Sequence, residues 1–205
     1  MTPVKISPIV TGHGEIQALP LLIRRIALEV NSGYVPMVLK PQRISESTLI
    51  LNYELEKAVE NAANRLAGSG GIVILLDCDT KDWCPAQKGP EFLKRAQQTR
   101  KDIPVSVILA KMEFESWFLA SAESLRNKRN LNSDFVCPPN SEELRGAKEY
   151  LEKYLAPGKA YSPTIDQPAL AQVFDLQLAR SRSNSFDKCY RDIFNMLKQL
   201  REHTQ

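Results

Sequence analysis

The clearest hydrophobic signal in the chain is the run Ile72-Val73-Ile74-Leu75-Leu76, which follows a Gly-rich approach and stops at Asp77 and Asp79. A continuous apolar run, rather than an alternating one, is what a strand covered on both faces requires, as in a parallel sheet flanked by helices. Residues 4–10 read as a first strand, followed by the loop Thr11-Gly12-His13-Gly14-Glu15 and an amphipathic segment carrying Ile16, Leu19, Ile23, Ile26 and Val30. Pro20 lacks an N–H and suits the first helical turn, so regular helix is expected from Gln17, with Glu15 by its N-terminus. Residues 35–40 predict a second strand, and residues 49–66 a second helix with an apolar stripe of Leu51, Leu55, Ala58, Val59 and Ala62. Residues 68–71 end that helix and lead into the central strand.

Beyond Asp79 the pattern is irregular over residues 80–89, which include Trp83, Cys84 and Pro85, before a helix over residues 90–100. A loop of that length at the carboxyl end of a strand is able to cover a site. Residues 105–110 form another apolar strand and run into Lys111 and then Glu113-Phe114-Glu115-Ser116-Trp117-Phe118-Leu119-Ala120. Strands alternating with helices imply right-handed crossovers and an α/β fold with a mainly parallel central sheet. No convincing strand follows residue 120, and the turn-rich residues 127–140 mark a boundary. The division is therefore an α/β domain over residues 1–125 and a helical C-terminal extension over residues 126–205 packed on it. Helices are expected at 142–155, 169–180 and 186–200, with an extended connection over 157–168 and Ser183 or Ser185 capping the last. Their apolar stripes need burial, and they carry no catalytic cluster of their own.

A chain of 205 residues, 43% of them hydrophobic, is able to bury a substantial core, which sets disorder aside. The net charge of +3 is compatible with a nucleic-acid partner but too small to identify one. Cys78, Cys84, Cys137 and Cys189 form no CxxC pair, which argues against a structural zinc site. With no apolar run long enough for a signal region or a membrane span, the reading is a cytoplasmic protein with reduced thiols and no membrane association.

The loop at residues 11–15 places Gly12 and Gly14 between a strand and a helix, where the backbone could approach a bound cofactor. The rest of a dinucleotide fingerprint fails, because Gln17 stands where a third glycine is needed and the second strand ends at Lys40 instead of an acid. The loop reads better beside the aspartates. Neighbouring parallel strands would deliver Glu15, Asp77, Asp79 and Glu113 or Glu115 to the carboxyl edge of the sheet, where ligands of open α/β folds bind. Carboxylates gathered there repel, so either a divalent cation is bound or some stay protonated. Oxygen-only ligation favours magnesium or manganese over zinc. Glu15, Asp77 and Asp79 are thus the candidate catalytic residues and, with Glu113 and Glu115, the candidate metal ligands. The aspartates equally suit a turn after a strand.

His13 is a candidate for touching a phosphate or acting as an acid, and Lys111 for neutralising one of the carboxylates or contacting a phosphate; an ordinary loop histidine and a solvated lysine at a strand end are the plainer readings. Phe114, Trp117, Phe118 and Leu119 read as core. Cys78, between the aspartates, should point away from them as a buried, inert thiol. Arg180, Arg182, Lys188, Arg191 and Lys198 read as a solvated helical face.

With these residues placed, the chain resembles the Toprim-like domain-of-unknown-function 4276 family, which is related in its core to the nuclease domain of overcoming-lysogenization-defect proteins. The resemblance is carried by VTGHGE at residues 10–15, LLDCD at 75–79, EFESWFLA at 113–120, DQPALAQVFD at 166–175 and SFDK at 185–188. It implies a Toprim-like fold, with an acid after the first strand and a DxD after a later one binding magnesium for phosphodiester cleavage or transfer. It also implies DNA or RNA as substrate, an ATPase partner encoded nearby and a role in defence, and leaves homo-oligomerisation open. One departure matters: the family-like pattern has a glutamate directly before Gly12, and this chain has Thr11. Threonine has no titratable group in the useful range and cannot act as a base. Two readings follow: a magnesium-dependent nuclease or transfer protein, and a non-catalytic interaction or regulatory module. A nucleotide-sugar transferase using the DxD would lack an acceptor domain in so short a chain.

Overall fold

The computed structural model describes residues 4–30, 35–51, 53–79 and 84–202. Trp83, with the rest of residues 80–83, lies outside the described residues. In chain order the elements are β1 (Lys5–Val10), α1 (Glu15–Glu29), β2 (Met37–Val38), β3 (Gln42–Arg43), α2 (Glu46–Leu49), α3 (Glu54–Leu66), β4 (Gly70–Cys78), α4 (Pro85–Thr99) and β5 (Val105–Lys111). They continue with α5 (Glu115–Ala120), a 3-10 turn (Ala122–Leu125), α6 (Ala147–Lys153), α7 (Pro163–Ala171), α8 (Leu176–Arg182) and α9 (Asn184–Glu202).

The strands form one sheet in the order β2-β1-β4-β5, with β3 also pairing to β1, and all of these pairings are parallel. The α/β fold with a parallel sheet flanked by helices is thus observed, an arrangement consistent with a Toprim-like fold. As the apolar run requires, Ile72 to Leu76 are buried on both faces. Val73 and Leu75 join the core packed with α1, α5 and α9, whereas Ile72, Ile74, Leu76 and Cys78 join the core packed with α3 and α4. This period of two fixes Asp77 on the first face and Cys78 on the second.

The C-terminal helices are part of that first core. Phe186, Cys189, Ile193 and Leu197 of α9 are buried with Val73, Leu75 and Ile108. A Cβ on Gly71 would stand 2.6 Å from Met196 Sδ, so the glycine lets α9 lie directly on β4.

Several boundaries differ from expectation. Helix α1 starts at Glu15 and α4 at Pro85, so Pro20 and Pro90 are each the sixth helical residue rather than first-turn residues. An interior proline costs about 3 kcal/mol. In α1, burial of Leu19, Leu22, Ile23 and Ile26 offsets it. The second strand is two short pieces, β2 and β3, separated at Pro41, which cannot donate to the ladder. The helix expected over residues 49–66 is split, with Tyr53 at φ 65° between α2 and α3, and Leu51 is exposed instead of lining the stripe. The helix expected from residue 142 begins only at Ala147, after Gly146 at φ 78°. Part of the supposed extended connection is α7, and the helix expected over residues 169–180 breaks so that Asp175 caps α8 by accepting the Leu178 N–H at 2.9 Å. Ser183 caps α9, accepting the Phe186 N–H at 3.0 Å. Ser185 instead accepts from Trp117 Nε1 at 2.8 Å.

Candidate functional site

Beyond the end of β1 the chain turns through residues 11–14 into α1, and Glu15 opens the helix. Its side chain folds back over its own loop, where Oε2 accepts the N–H groups of Thr11 at 3.1 Å and Gly12 at 3.0 Å. A carboxylate at a helix N-terminus is favourably placed in the helix field. Close approach is possible because Gly12 has no side chain: a Cβ there would lie 2.6 Å from Glu15 Oε1.

Asp77 sits opposite Ala110 in the β4–β5 ladder. Just past β5 the chain turns at Met112, whose φ is 66° and whose backbone exchanges two hydrogen bonds with Cys78, each 3.2 Å. That turn brings the next residues under the end of β4, and the Phe114 N–H donates to Asp77 Oδ1 at 2.9 Å. Glu113 and Glu115 follow from the same turn. Glu115 is fully buried; its Oε1 accepts from Tyr161 Oη at 2.9 Å and Gln167 Nε2 at 3.3 Å, while its Oε2 has no hydrogen-bond partner. Lys148, at the start of α6, brings the counter-charge: its Nζ is 3.5 Å from Glu113 Oε1 and 3.9 Å from Glu115 Oε2.

Burial dominates the electrostatics. It pushes the Glu15 pKa up to about 7, against the hydrogen bonds from Gly12 and Thr11, with the charge of Glu115 adding to the rise. Asp77 is raised well above the usual carboxylate range by burial and then by the charges of Glu15 and Glu115, with Lys148 and the Phe114 N–H holding it down. Glu115 is raised by burial, partly countered by Lys148 and the Tyr161 hydroxyl. For Lys148, burial works to lower the pKa, but Glu115, Glu113 and Asp77 outweigh it and the net shift is upward. One ammonium thus stands against mutually repelling acids.

Glu15 and Asp77 open onto a cleft of about 350 Å³ lined also by Gly12, His13, Gly14, Lys148, Pro163, Thr164 and Gln167. A larger groove, about 720 Å³ between α4, β5 and α9, contains none of these acids. The structure therefore gathers Glu15, Asp77 and Glu115, with Glu113 at their margin through Lys148. Asp79 stays apart: it is exposed beyond β4 and makes no hydrogen bond or ion pair to a described residue. Gly12 and Gly14 line the cleft, but protein fills the space they leave. A Cβ on Gly14 would lie 2.5 Å from the Pro163 carbonyl oxygen and closer still to Gln167 Oε1.

His13 is exposed at the rim. Lys111 pairs with Glu143 at 3.5 Å. Phe114, Trp117, Phe118 and Leu119 are fully buried core. Cys78 is buried on the opposite face, and burial pushes its thiol up to about 11. Most of the supposed solvated basic face is engaged: Arg180 and Arg191 pair with Asp187, Arg182 with Glu123 and Lys188 with Asp192.

Sequence reasoning missed Lys148, Tyr161 and Gln167, all from the helical tail. Gln167 lay within the DQPALA motif, but nothing marked it chemically. A lone lysine on a short helix and a tyrosine in a proline-rich connection gave no signal.

Among the described residues no group of three or more His, Cys, Asp or Glu side chains is gathered closely enough to hold a metal ion. The donor chemistry nevertheless fits a hard divalent cation. It is oxygen-only, the buried Glu115 Oε2 takes no hydrogen bond, and the second oxygens of Glu15 and Asp77 take none from a described residue.

Over residues 10–193 the sequence matches the family described as Domain of unknown function (DUF4276). The chain belongs to that family. No curated protein and no solved structure matches it. The DUF4276 match runs from the last residue of β1 into α9, so it takes in the acids of the sheet edge and the three residues that the tail adds to them. Among the described residues of this DUF4276 member, no helix is long and apolar enough to cross a membrane.

Proposed function

We propose that this DUF4276 member is a cytoplasmic, magnesium- or manganese-dependent nuclease or phosphodiester-transfer protein of Toprim type. The observation that carries the reading is the buried Oε2 of Glu115, which takes no hydrogen bond and has only a long ion pair to Lys148, beside Glu15 and Asp77. Each of these carboxylates is oriented by hydrogen bonds on one oxygen, and the other takes no hydrogen bond from a described residue, which supports the reading. A divalent cation held there would act as a Lewis acid on a phosphate oxygen and make water a better nucleophile. Within the chain, Tyr161 and Gln167 orient Glu115 and the Phe114 N–H orients Asp77, and His13 at the rim is the proposed acid for a leaving oxygen. The ATPase partner, the DNA or RNA substrate, the defence role and the relation to overcoming-lysogenization-defect nucleases are proposed from the resemblance of the motifs. The test is incubation of the purified protein with plasmid, single-stranded DNA and RNA under magnesium and manganese, beside a double Asp77→Ala, Asp79→Ala variant. Cleavage is expected in the wild type alone; cleavage that persists in the variant sinks the assignment.

A second reading, a non-catalytic interaction or regulatory module, is favoured by Lys148, which already supplies a positive charge inside the cluster, and by Thr11 in place of a glutamate. Thr11→Glu separates the two. On a working metal site the new carboxylate adds a ligand and enlarges the magnesium-dependent rise in melting temperature. On a site that takes no cation it only adds repulsion in a buried place, and the variant melts lower with or without magnesium.

A further inference from the structure

The contacts of Lys148 are poor ones for a half-buried cation. Its Nζ reaches Glu113 Oε1 at 3.5 Å and Glu115 Oε2 only at 3.9 Å, too far for a hydrogen bond. Buried acceptors nearby stay unsatisfied: Glu115 Oε2 has no hydrogen-bond partner, and neither has Oε1 of Gln167, which lines the same cleft and is 3% exposed. Buried polar atoms are seldom left this way, and two acceptor oxygens together mark a place short of positive charge. The ammonium is held at its post from the other end, since the Lys148 backbone N–H donates to Glu113 Oε2 at 3.3 Å. Its side chain lines the cleft and keeps 36% exposure, so it has room to leave the acids without unfolding α6.

We propose that Lys148 is a resident counter-ion occupying the seat of the divalent cation, so that its ion pairs with Glu113 and Glu115 and cation binding exclude each other. This rests on the metal-site reading given under Proposed function. A magnesium or manganese ion brings twice the charge at a much shorter approach to oxygen than an ammonium can make, about 2.0–2.1 Å for magnesium. Like charges in one small seat repel strongly, so one of the two must go. When the cation enters, Lys148 swings into the cleft, where its ammonium suits a phosphate oxygen of a nucleic-acid strand. Lys148 is thus both the lock on the empty site and a substrate-contacting group of the loaded one.

The experiment measures binding of manganese chloride by calorimetry to the wild type, Lys148→Met and Lys148→Arg, all stripped of metal. Lys148→Met removes the competing charge and is expected to bind the ion about tenfold more tightly or better, whereas Lys148→Arg keeps the charge and stays near the wild type. Because Lys148→Met leaves acids uncompensated and is able to fold poorly without metal, a second measurement uses the wild type alone. Acetylation of each lysine by an amine-reactive ester, read by mass spectrometry, is compared with and without manganese. Lys148 should become several-fold more reactive when the ion binds, with Lys57 and Lys198 unchanged. Manganese binding to the wild type with no change at Lys148, or equal affinity in Lys148→Met, overturns the exclusion and leaves the metal-site reading intact. Manganese binding to none of the proteins overturns both.

Discussion

The carboxylate of Asp77 accepts the backbone N–H of Phe114 at 2.9 Å, so the end of β4 is pinned to the turn that delivers Glu113 and Glu115. One oxygen of Asp77 thereby holds the scaffold, while the residue lines the cleft. The two roles can be separated by Asp77→Asn, which keeps an acceptor for the Phe114 N–H and removes the charge. In chelator this variant should melt higher than the wild type, because a buried carboxylate beside Glu15 and Glu115 is destabilising. On the proposed metal site, a magnesium-dependent rise in melting temperature is expected in the wild type and not in this variant. A variant that melts lower than the wild type in chelator would show that the repulsion inferred among these acids is absent.

Tyr161→Phe tests the support of Glu115. Losing the 2.9 Å hydroxyl donor leaves Oε1 with only Gln167, beside a second oxygen that already takes no hydrogen bond. A cost of about 1–3 kcal/mol is expected, seen as a lower midpoint in urea with an unchanged slope.

Gly14→Ala should cost more than Gly12→Ala. The new methyl group at residue 14 meets the Pro163 carbonyl, which is backbone, and pushes α7 off the loop; at residue 12 it meets only the end of the Glu15 side chain. Overpacking of this kind costs about 1–3 kcal/mol. Equal melting temperatures for the two variants would contradict the tight seating of α7.

The acids make stability depend on pH with a definite sign. Glu15 has an ordinary pKa of 4.5 and is pushed to about 7 in the folded chain, so the folded state binds the proton more tightly than the unfolded one. Its stabilising effect is complete below pH 4.5 and is lost as pH rises through about 7, by at most about 3 kcal/mol. Asp77 and Glu115 shift in the same direction. In metal-free buffer, unfolding free energy should therefore fall between those limits, and divalent cations should reverse the trend at the upper end. A flat profile from pH 5 to 8 would mean that these carboxylates are better solvated than the structure has them.

The sequence revealed the sheet more readily than the helices, for physical reasons. Residues 72–76 are apolar on both faces because both faces are covered, and no surface helix imitates that pattern. Helix breaks were less legible. Tyr53 adopts φ 65° in a stretch whose apolar spacing continues, so nothing local marks the break before α3. Pro20 and Pro90 pointed to the wrong helix starts, because their local cost is outweighed by packing that the local sequence does not display. At the site, Glu15, Asp77 and the Glu113–Glu115 pair were readable as acids that follow strands. Asp79 matched the same pattern, yet β4 ends at Cys78 and the alternation that would have aimed Asp79 beside Asp77 lapses. Tyr161 and Gln167 touch Glu115 from 46 and 52 residues away along the chain, a relation that spacing alone cannot carry.

The outer edge of β5 bears on how the chain meets its own copies. Lys188 Nζ donates to the Val107 carbonyl at 3.2 Å, and Ser185 Oγ accepts the Lys111 N–H at 3.3 Å, so the first turns of α9 cover backbone groups that a foreign strand would need. At the opposite edge, Pro41 separates β2 from β3 and interrupts any continuous template. Both margins of the sheet therefore discourage strand-on-strand recruitment, the route by which parallel sheets polymerise or exchange segments. The helical faces are the surfaces left for self-association without strand pairing, and a dimer formed through them would leave the number of strands per sheet unchanged.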